Sequence, residues 1–143
     1  MVLQPKIIQG GSHIDERGTL QFLNDFDMKQ VKRLYQTTNA TTSMVRAWMA
    51  HKIESRWFFC AEGKFTVKLV RVLDFEKGLA SNEIITYKLD SDNPQILYIP
   101  PGYASGFKTE VSNSKLLIFA DYAFGEIEDN FKFTTTDFLP WQS

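Results

Sequence analysis

The side chains able to do chemistry are few. The chain has two histidines, His13 and His51, and one cysteine, Cys60. An imidazole titrates close to neutrality, so histidine is the first candidate for taking a proton from carbon and giving it back. His51 lies in a dense run, Arg46-Ala47-Trp48-Met49-Ala50-His51-Lys52, which continues through Glu54, Arg56 and Trp57. On a strand, Met49 and His51 share a face and lie about 6.5 Å apart. Arg46, five residues from His51, faces the other way and reaches the same side only across a bulge. Arg33, Arg46, Arg56 and Lys52 are cations that suit a diphosphate, the arginines through their planar forks; solvated strand charges are the plain alternative. Tyr35 shares a face with Arg33 and either donates its phenol to an oxygen or packs. His13, in Gly11-Ser12-His13, has no such company and reads as a surface residue. Cys60, in an aromatic segment, reads as a small buried hydrophobe. A single cysteine excludes an internal disulfide framework and a multi-cysteine zinc site.

The elements that must carry these residues are strands. Aromatic residues make 14% of the chain, an enrichment that favours sheet. The spacing predicts strands over Thr19–Leu23, Val31–Thr37, Met44–His51, Arg56–Cys60, Phe65–Val72, Glu83–Leu89, Gln95–Ile99 and Lys115–Tyr122. Glu62-Gly63 reads as a hairpin turn between two of them. Asn93-Pro94 and Pro100-Pro101-Gly102 punctuate the rest. Helical signals are confined to short turns at Asp74–Ala80 and Gly125–Asn130. Asp121-Tyr122 and Gly125-Glu126-Ile127-Glu128-Asp129 read as a solvated acidic loop, with a loop over a cavity mouth as the alternative. Many short strands with regular turn signals predict a β-sandwich or barrel.

Size and charge bound the function. At 143 residues the chain suits one domain, residues 1–143, with no linker or repeat. A net charge of −1 gives no electrostatic footprint for duplex DNA or an anionic membrane, so neither partner is expected. No apolar run approaches the length of a spanning helix, and Met1 to Lys6 carries no signal-peptide pattern. A cytoplasmic protein is expected.

Two stretches, Arg46 to Gly63 and Leu97-Tyr98-Ile99-Pro100-Pro101-Gly102-Tyr103-Ala104-Ser105-Gly106-Phe107, together resemble the two motifs of the cupin jelly roll (double-stranded β-helix). More narrowly the chain resembles the sugar-nucleotide branch, which holds dTDP-4-dehydrorhamnose 3,5-epimerase and the dTDP-4-keto-6-deoxyglucose 3,4-ketoisomerases. Arg17-Gly18-x-Leu20, Lys32-Arg33-x-Tyr35 and Ser114-Lys115-Leu116-Leu117 also fit the ketoisomerase-like group, and the resemblance runs from Asp15 to Tyr122. It implies an all-β fold, a homodimer and a role in deoxysugar and cell-surface polysaccharide synthesis. The metal-binding pattern of the superfamily is His-x-His, then Glu, then His. Here those places hold Met49, His51, Arg56 and Ser105, and Glu54 is out of step by two residues. A guanidinium in place of a carboxylate repels a divalent ion. No metal and no cofactor are expected, and the sugar-nucleotide branch is itself metal-free.

The resemblance also assigns roles. The resembling enzymes carry a catalytic histidine at the place of Met49, and a thioether cannot take a proton. In the ketoisomerases both members of the His-x-His pair line the site, so His51 is expected as the base, with Tyr35 assisting. Arg33, Arg46, Met49, Lys52, Arg56 and Ser105 are expected to bind substrate, a dTDP-hexose-like nucleotide sugar. The 3,5-epimerases usually offer a tyrosine acid on the strand after the second motif, where this chain has Leu116-Leu117-Ile118-Phe119. The implied activity is 3,4-ketoisomerisation of a nucleotide-linked 4-keto-6-deoxyhexose. A catalytically degenerate sugar-nucleotide binding protein and a 3,5-epimerase-like enzyme are the alternatives.

Overall fold

Phe65, Val67 and Leu69 alternate with Thr66 and Lys68 along one long strand, and each of the three apolar side chains is fully buried. Alternation of this kind builds a sheet with one face turned to a core. The computed structural model describes residues 3–141. In chain order the strands are β1 (Lys6–Gln9), β2 (Gly11–Asp15), β3 (Gly18–Phe22), β4 (Arg33–Thr37), β5 (Val45–His51) and β6 (Arg56–Glu62). The second half adds β7 (Lys64–Asp74), β8 (Leu79–Asp90), β9 (Gln95–Ile99), β10 (Tyr103–Thr109), β11 (Lys115–Ala120) and β12 (Phe131–Lys132). One five-stranded sheet has the order β1-β9-β6-β11-β4 and the other β12-β5-β10-β7-β8, with β2 and β3 as a separate hairpin. All pairings in the sheets are antiparallel. This is the all-β jelly roll implied by the motifs. Of the two expected short turns, the first is confined to residues 75–78, with 74 ending β7 and 79–80 beginning β8, and the second, 125–130, is turn and coil; there is no helix among the described residues.

The two sheets face each other across a core of Phe58, Phe65, Val67, Leu69, Leu97, Ile99, Phe107, Leu116 and Ile118, drawn from both. Burying each such side chain contributes about 1.5–3 kcal/mol. The outer face of the second sheet is covered by the C-terminal segment, whose Phe133, Phe138, Leu139 and Trp141 pack on Trp48, Val70 and Ala104. Leu23, Phe26 and Val31 cover Trp57, Ile96 and Phe119 on the outside of the first sheet.

One predicted connection is different. Glu62-Gly63 does not close a hairpin: β6 pairs with β9 and β11, whereas β7 pairs with β8 and β10. Gly63 is the corner at which the chain leaves one sheet for the other. Its φ is +82°, and a Cβ there would fall 1.9 Å from Ser114 Oγ. Only glycine makes that turn against Ser114 without strain. The hairpin partner of β7 is β8, across the turn at residues 75–78.

β5 carries the bulge that the sequence required. Between Met49 and Arg46 it runs three residues while β10 runs two, from Ser105 to Phe107. The extra residue shifts the side-chain phase, so Arg46 joins Met49 and His51 on the inward face. Gly106 lies opposite the bulge. A Cβ on it would meet Ala47 Cβ at 2.6 Å and the Trp141 ring at 3.1 Å. Gly106→Ala is therefore expected to destabilise the fold by about 1–3 kcal/mol, read as a lower midpoint in urea; an unchanged midpoint contradicts this packing.

Candidate active site

The sheets part where β4, the edge of the first, faces β5 and β12 at the edge of the second. The opening is a cavity of about 670 Å³, lined by Tyr35 and Thr37 from β4, Arg46, Met49 and His51 from β5, Arg56 and Phe58 from β6, and Ser105 and Phe107 from β10. Seven of the eight residues expected in the site thus line this cavity or the hollow beside it. That hollow, about 400 Å³, shares Tyr35, Met49, Arg56 and Lys132 with the main cavity and adds Arg33 and Phe124. Lys52 is the exception: it is exposed on the turn after β5 and lines neither space. β5 ends at His51, and the strand alternation that would orient residue 52 stops with it.

His51 is 6% exposed. Its Nδ1 lies 2.9 Å from the backbone carbonyl of Asp129. A carbonyl only accepts, so Nδ1 carries the hydrogen and Nε2 keeps its lone pair. Glu54 Oε2 lies 3.3 Å from the same Nδ1. Burial, and after it the Arg56 guanidinium, hold the imidazole below its ordinary pKa, partly offset by the Asp129 carbonyl and the charges of Glu54 and Asp129. A ring shifted in this direction is neutral at neutral pH, the form in which it can accept a proton.

Asp129 builds this arrangement. Its carboxylate accepts hydrogen bonds from the backbone N–H groups of Lys52, Ile53 and Glu54 at 2.8–2.9 Å. Asp121 does the same for the Ser55 N–H at 2.9 Å, and burial pushes its carboxyl above the ordinary value. The turn between β5 and β6 is thus tied to the chain that follows β11. The stretch expected to be a solvated acidic loop is not one at Asp129, which is 3% exposed. The local sequence holds no sign of this, because the partners of Asp129 lie some 75–78 positions upstream.

Arg56 lines both spaces and is hydrogen-bonded within the protein. Its Nε and Nη2 donate to Glu54 Oε2 at 3.1 and 2.7 Å, and its Nη1 donates to the Tyr35 hydroxyl oxygen. With its oxygen accepting from Arg56, Tyr35 keeps its own hydrogen free to donate. Arg46 donates to Thr37 Oγ1 at 2.7 Å. Cys60 is buried outside the cavity lining, and burial pushes its thiol up to about 11, which leaves it unreactive.

His51, Glu54 and Asp129 offer ligand atoms within 4.8 Å of one another. They do not suit a metal. Asp129 is filled by three N–H groups, Nδ1 donates to a carbonyl, and Glu54 is paired with a guanidinium that would stand beside the ion.

The family model FdtA, described as WxcM-like, C-terminal, matches residues 4–138. The chain belongs to the FdtA family. Among solved structures, this FdtA-family chain is similar to the QdtA 3,4-ketoisomerase from Thermoanaerobacterium thermosaccharolyticum, a double mutant in complex with TDP. The two share 21% identity over 96% of this chain and 94% of that one, with a TM-score of 0.72. It is similar to the WlaRB TDP-quinovose 3,4-ketoisomerase from Campylobacter jejuni at 21% identity over 92% and 95% of the chains, TM-score 0.67. It is also similar to the dTDP-4-dehydrorhamnose 3,5-epimerase from Sulfolobus tokodaii at 17% identity over 96% and 80%, TM-score 0.75. These likenesses establish the jelly-roll fold. No protein of curated function matches the sequence.

The charges around His51 act in opposite directions, which gives the site a signature. Arg56→Gln removes a charge that lowers the imidazole pKa, so the NMR titration of His51 is expected to move to higher pH. Glu54→Gln removes a charge that raises it, so the same titration moves lower. Two shifts of the same sign contradict the arrangement.

Proposed function

We propose that this chain is a 3,4-ketoisomerase-like enzyme that moves a carbonyl between C4 and C3 of a nucleotide-linked 4-keto-6-deoxyhexose, without a metal. The observation that carries this reading is the commitment of His51 Nδ1–H to the Asp129 carbonyl, which leaves Nε2 as a neutral base on the wall of a sugar-sized cavity. Membership of the FdtA family and the likeness to ketoisomerase structures support the substrate class.

The reaction follows from these groups. His51 Nε2 takes the C3 hydrogen, which the neighbouring carbonyl makes acidic. The C–H electron pair becomes the C3=C4 double bond, and O4 takes the Tyr35 proton as it gains charge. The Tyr35 phenolate then takes the proton of the C3 hydroxyl, the electrons return to make C3=O, and His51 delivers its proton to C4. One hydrogen moves from C3 to C4 and one from O3 to O4, so the atoms balance. A single base suffices because the two carbons are neighbours. Met49 cannot share the task. A 3,5-epimerase needs proton transfer at two separated centres, and the inward positions of β11 are apolar, Leu116 and Ile118. The second reading, a sugar-nucleotide binding protein without activity, is favoured by Met49.

Incubation with dTDP-4-keto-6-deoxyglucose in deuterated water separates the readings. Deuterium at C4 of a 3-keto product, with solvent exchange confined to C3 and C4, is the expected NMR result; exchange at both C3 and C5 marks an epimerase, and binding without exchange marks the inactive protein. His51→Asn is expected to lower the rate by about 10²–10⁴.

A further inference from the structure

Glu54 and Arg56 form a buried ion pair, 6% and 8% exposed, and the proton transfers proposed above use neither. Such a pair contributes little to stability, because the loss of water offsets the attraction. Its geometry points to the reaction instead. Arg56 Nε and Nη2 both donate to Glu54 Oε2, at 3.1 and 2.7 Å. The third nitrogen, Nη1, is turned the other way and donates to the Tyr35 hydroxyl oxygen. The carboxylate fixes the guanidinium, and the guanidinium is aimed at the phenol. Arg33 also faces Tyr35, but from over the ring, 4.6 Å from its centre, where it meets the π face.

The reaction creates charge at both ends of this pair. Once His51 has taken the C3 hydrogen and Tyr35 has given its own to O4, the sugar is a neutral enediol. His51 is then an imidazolium and Tyr35 a phenolate. Before and after, both are neutral. A group that favours the charged state over the two neutral ones lowers the barrier between them.

Arg56 favours that state at Tyr35. An N–H donated to a phenolate is a charge-assisted bond, about twice as strong as the same bond to a neutral phenol. The same cation opposes that state at His51, where it disfavours the charged ring. Glu54 relieves the conflict. Its Oε2 carries the opposite charge 3.3 Å from His51 Nδ1 and also accepts from the guanidinium. Asp129 supports the charged ring through its carbonyl at 2.9 Å and through its own charge. Asp121 is a further acid acting on Glu54 and Arg56.

We propose that Arg56 is a positioning residue that stabilises the Tyr35 phenolate while its proton is on the sugar, and that Glu54 is the counterion that lets this cation stand beside a base that must charge. The inference rests on the 3,4-ketoisomerisation proposed above and gives Glu54 and Arg56 a part in it. It also explains how a guanidinium serves where the metal-binding pattern has a carboxylate: the charge it stabilises is on the protein's own phenol.

A double-mutant cycle between Arg56 and Tyr35 in the intact protein tests this, read as turnover of dTDP-4-keto-6-deoxyglucose and as solvent exchange at C3. Arg56→Gln is expected to lower kcat about 10- to 100-fold, a decade less than loss of a donor that touches the reacting oxygen itself, with KM unchanged. In a Tyr35→Phe background the same change is expected to cost about two-fold or less, because no phenolate is left to hold. Arg56→Gln alone leaves a buried carboxylate unpaired and lowers stability. Glu54→Gln combined with Arg56→Gln removes both charges; it is expected to keep the wild-type thermal midpoint and to lose kcat by a similar factor. If wild type turns over and Arg56→Gln costs the same with or without the Tyr35 hydroxyl, or if the doubly neutral variant keeps the wild-type kcat, the role of Arg56 is wrong while the ketoisomerase reading stands. If wild type neither turns over the substrate nor exchanges C3, that reading falls and the role of the pair with it.

Discussion

A single buried carboxylate holds the working part of this protein together. Asp129 gathers the backbone N–H groups of Lys52, Ile53 and Glu54, and its own carbonyl takes the hydrogen of His51. Burying an ionised carboxylate without partners is costly. Here three charge-assisted hydrogen bonds offset the loss of water, and the same bonds satisfy donors that a tight turn would leave unpaired. The result is a rigid turn with an imidazole at one end and Glu54 at the other. Two residues further on, β12 pairs with β5, so the anchor also sets where Lys132 stands.

The polar groups behind the cavity form one connected set. Glu54 joins His51 to Arg56, and Arg56 joins Glu54 to Tyr35. In the low dielectric of a jelly-roll interior such a network is rigid when every member is satisfied. It links strands of both sheets, since Tyr35 lies on β4 and His51 on β5. A base and a proton donor from different sheets thus hold a fixed relation, while the apolar core around Phe58 and Phe107 keeps the sheets apart by the thickness of their side chains. The β5 bulge brings Arg46 to the same wall.

Much of this was legible in the chain. Alternating aromatic and β-branched residues marked most strands, and the two motifs marked the jelly roll. β1, β2, β10 and β12 were not legible, nor were the corner at Gly63 and the role of Asp129. β10 was hidden because Tyr103 to Phe107 contains Ser105 and Gly106 and follows Pro100-Pro101-Gly102, all turn-like; its strand character comes from pairing with β5 and β7 on both sides. The sheet change at Gly63 looks like a hairpin locally, because a left-handed glycine serves either, and only the packing of Ser114 distinguishes them. Asp129 looks like a solvated acid because its partners lie far upstream. Arg56 did carry a readable hint: Glu54, two residues before it, shares its face on an extended chain, and a pair so placed neutralises itself before any phosphate arrives.

The account stands on the tautomer that the Asp129 carbonyl imposes on His51. ¹⁵N NMR of selectively labelled protein reads it directly. The expected spectrum at neutral pH shows a neutral ring with hydrogen on Nδ1 and a free lone pair on Nε2. A ring with hydrogen on Nε2, or an imidazolium, would contradict it.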